Sequence, residues 1–242
     1  EYQDSLVQCI TAANPNTVVL LNAGGNVDMS KWIDKVPSLL HLWYAGQEGG
    51  TAVAEILFGK VNPSGKLPIS FEKKWEDNPA YPYYYDVDGD KRVEYKEGLF
   101  MGYRHYDVSE TKPQFAFGYG MSYTTFKYSD LRIDREKGRD LVVKIRFTVK
   151  NTGKHDGAET AQVYIRPINP KVERPYKELK GFAKHFIRKN TVQEIEITLD
   201  KDAFSYYKTE LKDFDYDLGS YEVLVGSASD DIRLRKVIQI EK

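Results

Sequence analysis

Carboxylates are the most abundant reactive side chains here, with 36 Asp and Glu in 242 residues. Hydrolysis by paired carboxylates needs an ionised nucleophile or base and a protonated acid at a controlled separation. Nothing in the spacing singles out such a pair, so no catalytic residue is assigned. A serine route lacks its G-x-S-x-G turn. Asp86, Asp88 and Asp90 stand at positions 1, 3 and 5 of a loop with Glu97 at position 12, as in a calcium loop. Position 6 is Lys91 where that turn needs Gly, and no helices flank it, so a solvated acidic turn is expected. The four histidines, His41, His105, His155 and His185, show no metal-ligand spacing. His41, inside an apolar run, reads as a hydrogen-bonded core residue, and Cys9 as a buried, inert thiol. No cofactor or metal is expected.

Two Gly-rich loops remain, Ala23 to Asn26 and Gly46 to Gly50, each following a β-like run. If those runs are parallel strands, both loops sit at the carboxyl edge of the sheet, where α/β proteins place ligands. Neither fits G-x-G-x-x-G or the Walker pattern, which argues against a nucleotide. The expectation is a tight turn with Glu48 favourably placed at a helix N-terminus. Gly46, Gln47 and Glu48 are the candidate residues for meeting a partner domain or a substrate.

The elements that must hold these loops come first in the chain. Tyr2 to Ala13 carries Leu6, Val7, Ile10 and Ala13 at helical spacing and stops at Asn14-Pro15. Thr17 to Leu21 and Ser38 to Tyr44 are short apolar runs suited to strands buried on both faces of a parallel sheet. A helical turn is expected over Ser30 to Lys35, a helix over Thr51 to Phe58 closed by Gly59, and another short strand over Leu67 to Phe71. Alternating helices and strands make a layered α/β sheet with crossovers. Three strands and three helices would leave open edges, so residues 1–75 are expected to be half of a larger α/β domain.

Residues 76–128 lose regular periodicity but are rich in aromatics, as in Tyr81 to Tyr85 and Phe100 to Tyr106. They are too apolar for a disordered linker and are expected to lie as a strap on a domain surface. Beyond them the period becomes two. Val143, Ile145, Phe147 and Val149 alternate with polar residues, as do Ala161, Val163 and Ile165, then Ile195, Ile197 and Leu199, then Tyr221, Val223 and Val225. Ile232 to Ile240 gives a last strand. Residues 129–242 therefore read as an antiparallel β-sandwich of immunoglobulin or fibronectin III type. A lone cysteine cannot supply the Cys–Trp–Cys core, which leaves the fibronectin-like variant.

Lys and Arg number 35, for a net charge of −1, so the basic surplus that holds nucleic acid or anionic lipid is missing. No apolar run approaches the roughly 20 residues of a membrane span. The sequence starts with Glu1 rather than Met, which suggests a processed product or a piece of a longer chain.

The run Trp43 to Gly50, followed by Gly59 to Pro68, resembles the C-terminal region of glycoside hydrolase family 3, the β-glucosidase and β-xylosidase group. Glu94 to Gly98, Gly102 to Arg104, Phe117 to Phe126, Asn151 to Gly153 and Arg174 to Phe182 match further, in the family's order and over nearly the whole chain. The resemblance implies a cut through a larger architecture. Such enzymes combine a (β/α)8-type barrel, an α/β sandwich and a fibronectin III-like domain, and this chain is similar to the later half of the sandwich plus the last domain. The family's nucleophile Asp belongs to the barrel, and its acid/base Glu to a sandwich loop shortly before the segment matching Glu1. Both catalytic carboxylates therefore fall outside the chain, and neither Glu48 nor Glu97 occupies a matching position.

The implied function is scaffolding in a retaining β-glycosidase acting on a β-glucoside or oligosaccharide, with β-xylosides as the alternative substrate class and the barrel and the first half of the sandwich as partners. The resemblance points to a periplasmic or secreted location. Two other readings stay open. One is a binding module in which Tyr83, Tyr84 and Tyr106 stack on sugar rings; the other is a structural protein that docks a separately encoded barrel.

Overall fold

The computed structural model describes residues 2–87, 89–136 and 141–241. It falls into two compact units, one of Glu1–Val61, Ser70–Gly98 and Glu110–Phe115, the other of Asn62–Ile69, Leu99–Ser109 and Ala116–Lys242.

The first unit runs α1 (Tyr2–Ala13), β1 (Val18–Leu21), a 3-10 turn (Ile33–Lys35), β2 (Ser38–His41), α2 (Gly49–Leu57), a second 3-10 turn (Trp75–Asp77) and the short α3 (Tyr81–Tyr84). β1 and β2 are parallel, with Val18 opposite Ser38 and Leu21 opposite His41. That pairing needs a crossover, and the chain between them supplies it. α2 ends where Gly59 takes φ +72° and its N–H reaches the Ile56 carbonyl at 2.9 Å, the left-handed closure expected of a Gly at that place.

Four expectations about the first 75 residues fail. β1 is not covered on both faces, since Val18 and Leu20 are exposed: two strands leave one pleat without a neighbouring layer. α1 does not bury its apolar stripe, because Leu6 and Ile10 are exposed. Its less exposed side is polar instead. Asp4 accepts from the Trp32 indole N–H at 3.2 Å and pairs with Lys31 at 3.3 Å, and Gln8 donates to the Lys31 carbonyl at 2.8 Å. Cys9, on the open side, is exposed rather than buried. Leu67 to Phe71 forms no strand. Leu67 exchanges backbone hydrogen bonds with Gly118 and Tyr119 at 2.7 and 2.9 Å, and Phe71 pairs with Phe115 in an antiparallel bridge, with no continuous ladder between them.

Among the described residues the second unit adds the short α4 (Tyr103–Tyr106) and nine strands: β3 (Phe126–Arg135), β4 (Val143–Asn151), β5 (Gly157–Pro167), β6 (Glu178–Ile187), β7 (Val192–Leu199), β8 (Tyr206–Lys208), β9 (Asp213–Asp215), β10 (Gly219–Gly226) and β11 (Ile232–Ile240). Seven of them make two antiparallel sheets, β11-β10-β5-β6 and β3-β4-β7, and β8-β9 is a separate hairpin. The period-two pattern decides the packing. Val143, Ile145, Phe147 and Val149 of β4 join Ile195, Ile197 and Leu199 of β7, and face Ala161, Val163, Ile165, Val223 and Val225 in one buried cluster. Each such side chain contributes about 1.5–3 kcal/mol when fully buried, which makes this the better-founded of the two units.

The irregular aromatic segment is shared between the units. Trp75 meets Tyr81 and Tyr84 edge-on in the first, while Tyr103 packs on Phe117 and Tyr164 in the second. Among the described residues no helix is long and apolar enough to cross a membrane.

Candidate functional site

Because β1 and β2 are parallel, the loops that follow them emerge on the same edge of the pair. They meet there. Gly24 lies close under Tyr44: a Cβ at position 24 would fall 2.5 Å from the ring, and the exposed Tyr44 side chain would have to swing aside. Trp43 takes φ +53°, a strained value for a bulky residue. The ring it turns inward packs on His41 with centroids 4.2 Å apart, and both lean on Phe71. Gly46 follows at φ +70°, completing the turn that leads Gln47 and Glu48 into α2.

Gly46, Gln47 and Glu48 are all exposed at this edge. Glu48 stands at the N-cap of α2, and its carboxylate accepts from the Thr51 hydroxyl at 3.0 Å without capping a backbone N–H. A carboxylate beside unpaired helix N–H groups is favourably placed by the helix dipole, and that accounts for its position without any acid–base role.

A network that spacing alone does not reveal lies beside the first loop. Asn26 donates from Nδ2 to the Ser70 carbonyl at 3.0 Å and to the Glu72 carboxylate, while Asn78 donates to Glu72 at 3.4 Å. The Gly-Gly-Asn loop was the available signal, but Glu72 lies 46 residues away in sequence. Nearby Asp28 accepts from the Ser30 hydroxyl at 2.6 Å and its N–H at 2.9 Å, which holds its carboxyl below the usual range. Several polar atoms here are buried with no hydrogen-bond partner: Asn26 Oδ1, the Ser70 hydroxyl and both ring nitrogens of His41. His41 is half-buried in β2, and its ring approaches the Leu21 backbone short of full hydrogen-bond geometry. Burial pushes it toward the neutral form, opposed by the nearby Leu21 carbonyl, which already accepts the Leu42 N–H at 2.8 Å.

The other expected positions do not join this edge. Among the described residues no group of three His, Cys, Asp or Glu is disposed to hold a metal. Asp88 lies outside the described residues, and Asp86 accepts the N–H groups of Gly89 at 2.8 Å and Lys91 at 2.9 Å. Of the three tyrosines considered for sugar stacking, Tyr106 is buried, Tyr83 is half-buried beneath Lys96, and Tyr84 alone is exposed.

Residues 1–123 match the glycosyl hydrolase family 3 C-terminal domain, and residues 159–229 a fibronectin type III-like domain. The thermostable β-glucosidase B of Acetivibrio thermocellus is 43% identical over 99% of the chain, which covers 32% of that protein. The crystal structure of the Kluyveromyces marxianus β-glucosidase in complex with glucose superposes with a TM-score of 0.92 at 41% identity, over 100% of this chain and 29% of that one. The Thermotoga neapolitana β-glucosidase 3B, in complex with glycerol, gives a TM-score of 0.90 at 32% identity over 99% of this chain and 34% of that one. The chain thus spans about a third of the length of the relatives it matches. It belongs to glycosyl hydrolase family 3, of which it carries the C-terminal region.

Proposed function

We propose that this chain works as the C-terminal portion of a β-glucosidase that removes terminal β-D-glucosyl residues with retention, and that it scaffolds the active site without supplying its catalytic carboxylates. The observation that carries the reading is likeness along almost the entire chain to β-glucosidases about three times as long. The open edge supports it. Exposed apolar residues on α1 and β1 are what a sheet leaves when its neighbours lie in another part of the protein. In this reading residues 1–75 complete the sandwich domain, 76–128 form the connecting strap and 129–242 the fibronectin-like domain. The Gly46-Gln47-Glu48 loop meets the barrel side. Placement is the contribution: a displacement of about 1 Å in a catalytic group can lower the rate about 100-fold.

The 242-residue chain, incubated with 4-nitrophenyl β-glucoside, is expected to give no turnover above buffer. Fused behind the first two-thirds of the Acetivibrio thermocellus relative, it is expected to restore hydrolysis, with β-glucose as the first product seen by NMR. Turnover by the chain alone overturns the scaffold reading, and a fusion that folds but stays inactive overturns the assignment to a β-glucosidase.

A further inference from the structure

The second unit carries a groove of about 1350 Å³ beside the β8–β9 hairpin, larger than the roughly 300–1,000 Å³ of ordinary small-molecule pockets. Its polar lining is fixed in advance. Arg174, almost fully buried, donates to the Phe204 carbonyl at 3.1 Å and to Glu178 at 2.7 Å, and Glu178 also accepts from Arg104 at 3.1 Å. Farther along, Lys208 donates to the Tyr216 carbonyl at 2.9 Å and pairs with Asp217 at 3.1 Å, while Asp217 accepts the Tyr206 hydroxyl at 3.0 Å. The described lining holds six cationic side chains and six carboxylates. This balance disfavours an anionic or cationic ligand, since either would meet as many repulsive as attractive charges.

One wall is aromatic. Tyr207 and Phe214 are cross-strand partners of the hairpin, with ring centroids 5.4 Å apart, and they are 51% and 61% exposed. Two large rings left wet beside ion-paired donors and acceptors form a mixed surface. The ligand that matches it has an apolar C–H face and a rim of hydroxyls, no net charge, and a length of several rings.

We propose that this groove binds a neutral oligosaccharide, with a pyranose face against Tyr207 and Phe214 and hydroxyls on Arg174, Glu178, Lys208 and Asp217. The site stands apart from the reading of the first unit, and it would exist whether or not the complete protein hydrolyses glucosides.

Isothermal titration of the 242-residue chain with cellotetraose, xylotetraose and trigalacturonate tests the proposal. Saturable binding of at least one neutral tetraose is expected, with no comparable binding of the charged sugar. Tyr207→Ala and Phe214→Ala should each weaken it at least about tenfold. Tyr95→Ala, at an exposed position of the first unit, should leave it unchanged, and circular dichroism verifies that every variant is folded. Phe214→Leu, which keeps an apolar side chain, guards against loss of the hairpin and is expected to weaken binding as well. Absence of binding to both tetraoses, preference for the charged sugar, or binding that survives Tyr207→Ala and Phe214→Ala overturns the site.

Discussion

At the scale of single residues, Lys177 shows what the second unit asks of its side chains. Its side chain is 4% exposed, and the ammonium is ion-paired with Asp107 and lies 6.0, 5.6 and 5.7 Å from the ring centroids of Tyr103, Tyr164 and Tyr176. A cation among ring faces gains about 2 kcal/mol once desolvated. Desolvation also pushes the Tyr164 hydroxyl far above its ordinary pKa, followed by the influence of Tyr103 and Asp107, so that ring stays neutral and electron-rich. Lys177 therefore fastens the 99–109 segment, which holds Tyr103 and Asp107, to the sheet that holds Tyr164. Lys177→Met keeps the volume but leaves the Asp107 carboxylate without its cation. The expected loss is about 3 kcal/mol in urea unfolding of the second unit, the range for breaking a buried pair. Adding Asp107→Leu to it should recover most of that loss. If the single variant is as stable as the parent, the clasp is not where the stability lies.

At the scale of elements, the end of β4 depends on one amide. Asn151 is fully buried, and its Nδ2 donates to the carbonyls of His155 at 2.8 Å and Ile187 at 2.9 Å. Its Oδ1 accepts from the Thr124 hydroxyl at 2.6 Å and the Gly153 N–H at 3.1 Å. All four hydrogen-bonding positions of an amide are in use, joining β4, its turn, the end of β6 and the approach to β3. Asn151→Ala strands several of those partners and is expected to lower stability by about 3 kcal/mol. Asn151→Asp should do at least as much, since an acceptor then faces two carbonyls. Chemical denaturation followed at 218 nm checks both, and a loss under about 0.5 kcal/mol, the size of an ordinary surface change, would mean that water replaces the amide. The Asn-Thr-Gly turn was visible in the sequence; the four partners were not, because they come from three separate segments. The same division runs through the fold. β4, β5, β7, β10 and β11 were legible, since a strand with one dry face writes its burial as alternation. β1 and β2 were legible as strands but not in their exposure, because an apolar run records what a strand requires and not which neighbours it has. The β8–β9 hairpin, with three residues a side, is too short to carry a period. At the candidate edge, the Gly-rich loops announced themselves as turns, whereas the Asn26–Glu72–Asn78 network depends on a tertiary approach that no local pattern encodes.

At the scale of the whole molecule the two units differ in how well they support themselves. Among the described residues of the first unit, Met29, Trp32 and Phe71 are the buried apolar side chains, whereas the second unit owns the entire clustered core from Tyr128 to Ile240. Stability follows buried apolar area, and regions with few such neighbours open at lower free energy than the global transition. The chain should therefore unfold in two steps, the first unit melting earlier and less cooperatively. The sequence provides an internal reporter. All three tryptophans, Trp32, Trp43 and Trp75, lie in the first unit, while the strand signal in circular dichroism comes overwhelmingly from the second. On heating, tryptophan emission should shift to the red well before ellipticity at 218 nm is lost. Lys177→Met should lower the second transition and leave the tryptophan transition in place. Fusion behind the first two-thirds of a relative should raise the tryptophan transition toward that of the strands, because the open faces of α1 and β1 then gain neighbours. Coincident transitions in the 242-residue chain would mean that the first unit draws stability from elsewhere in the molecule, and the account of its open edge as an unfinished sheet would fall with that result.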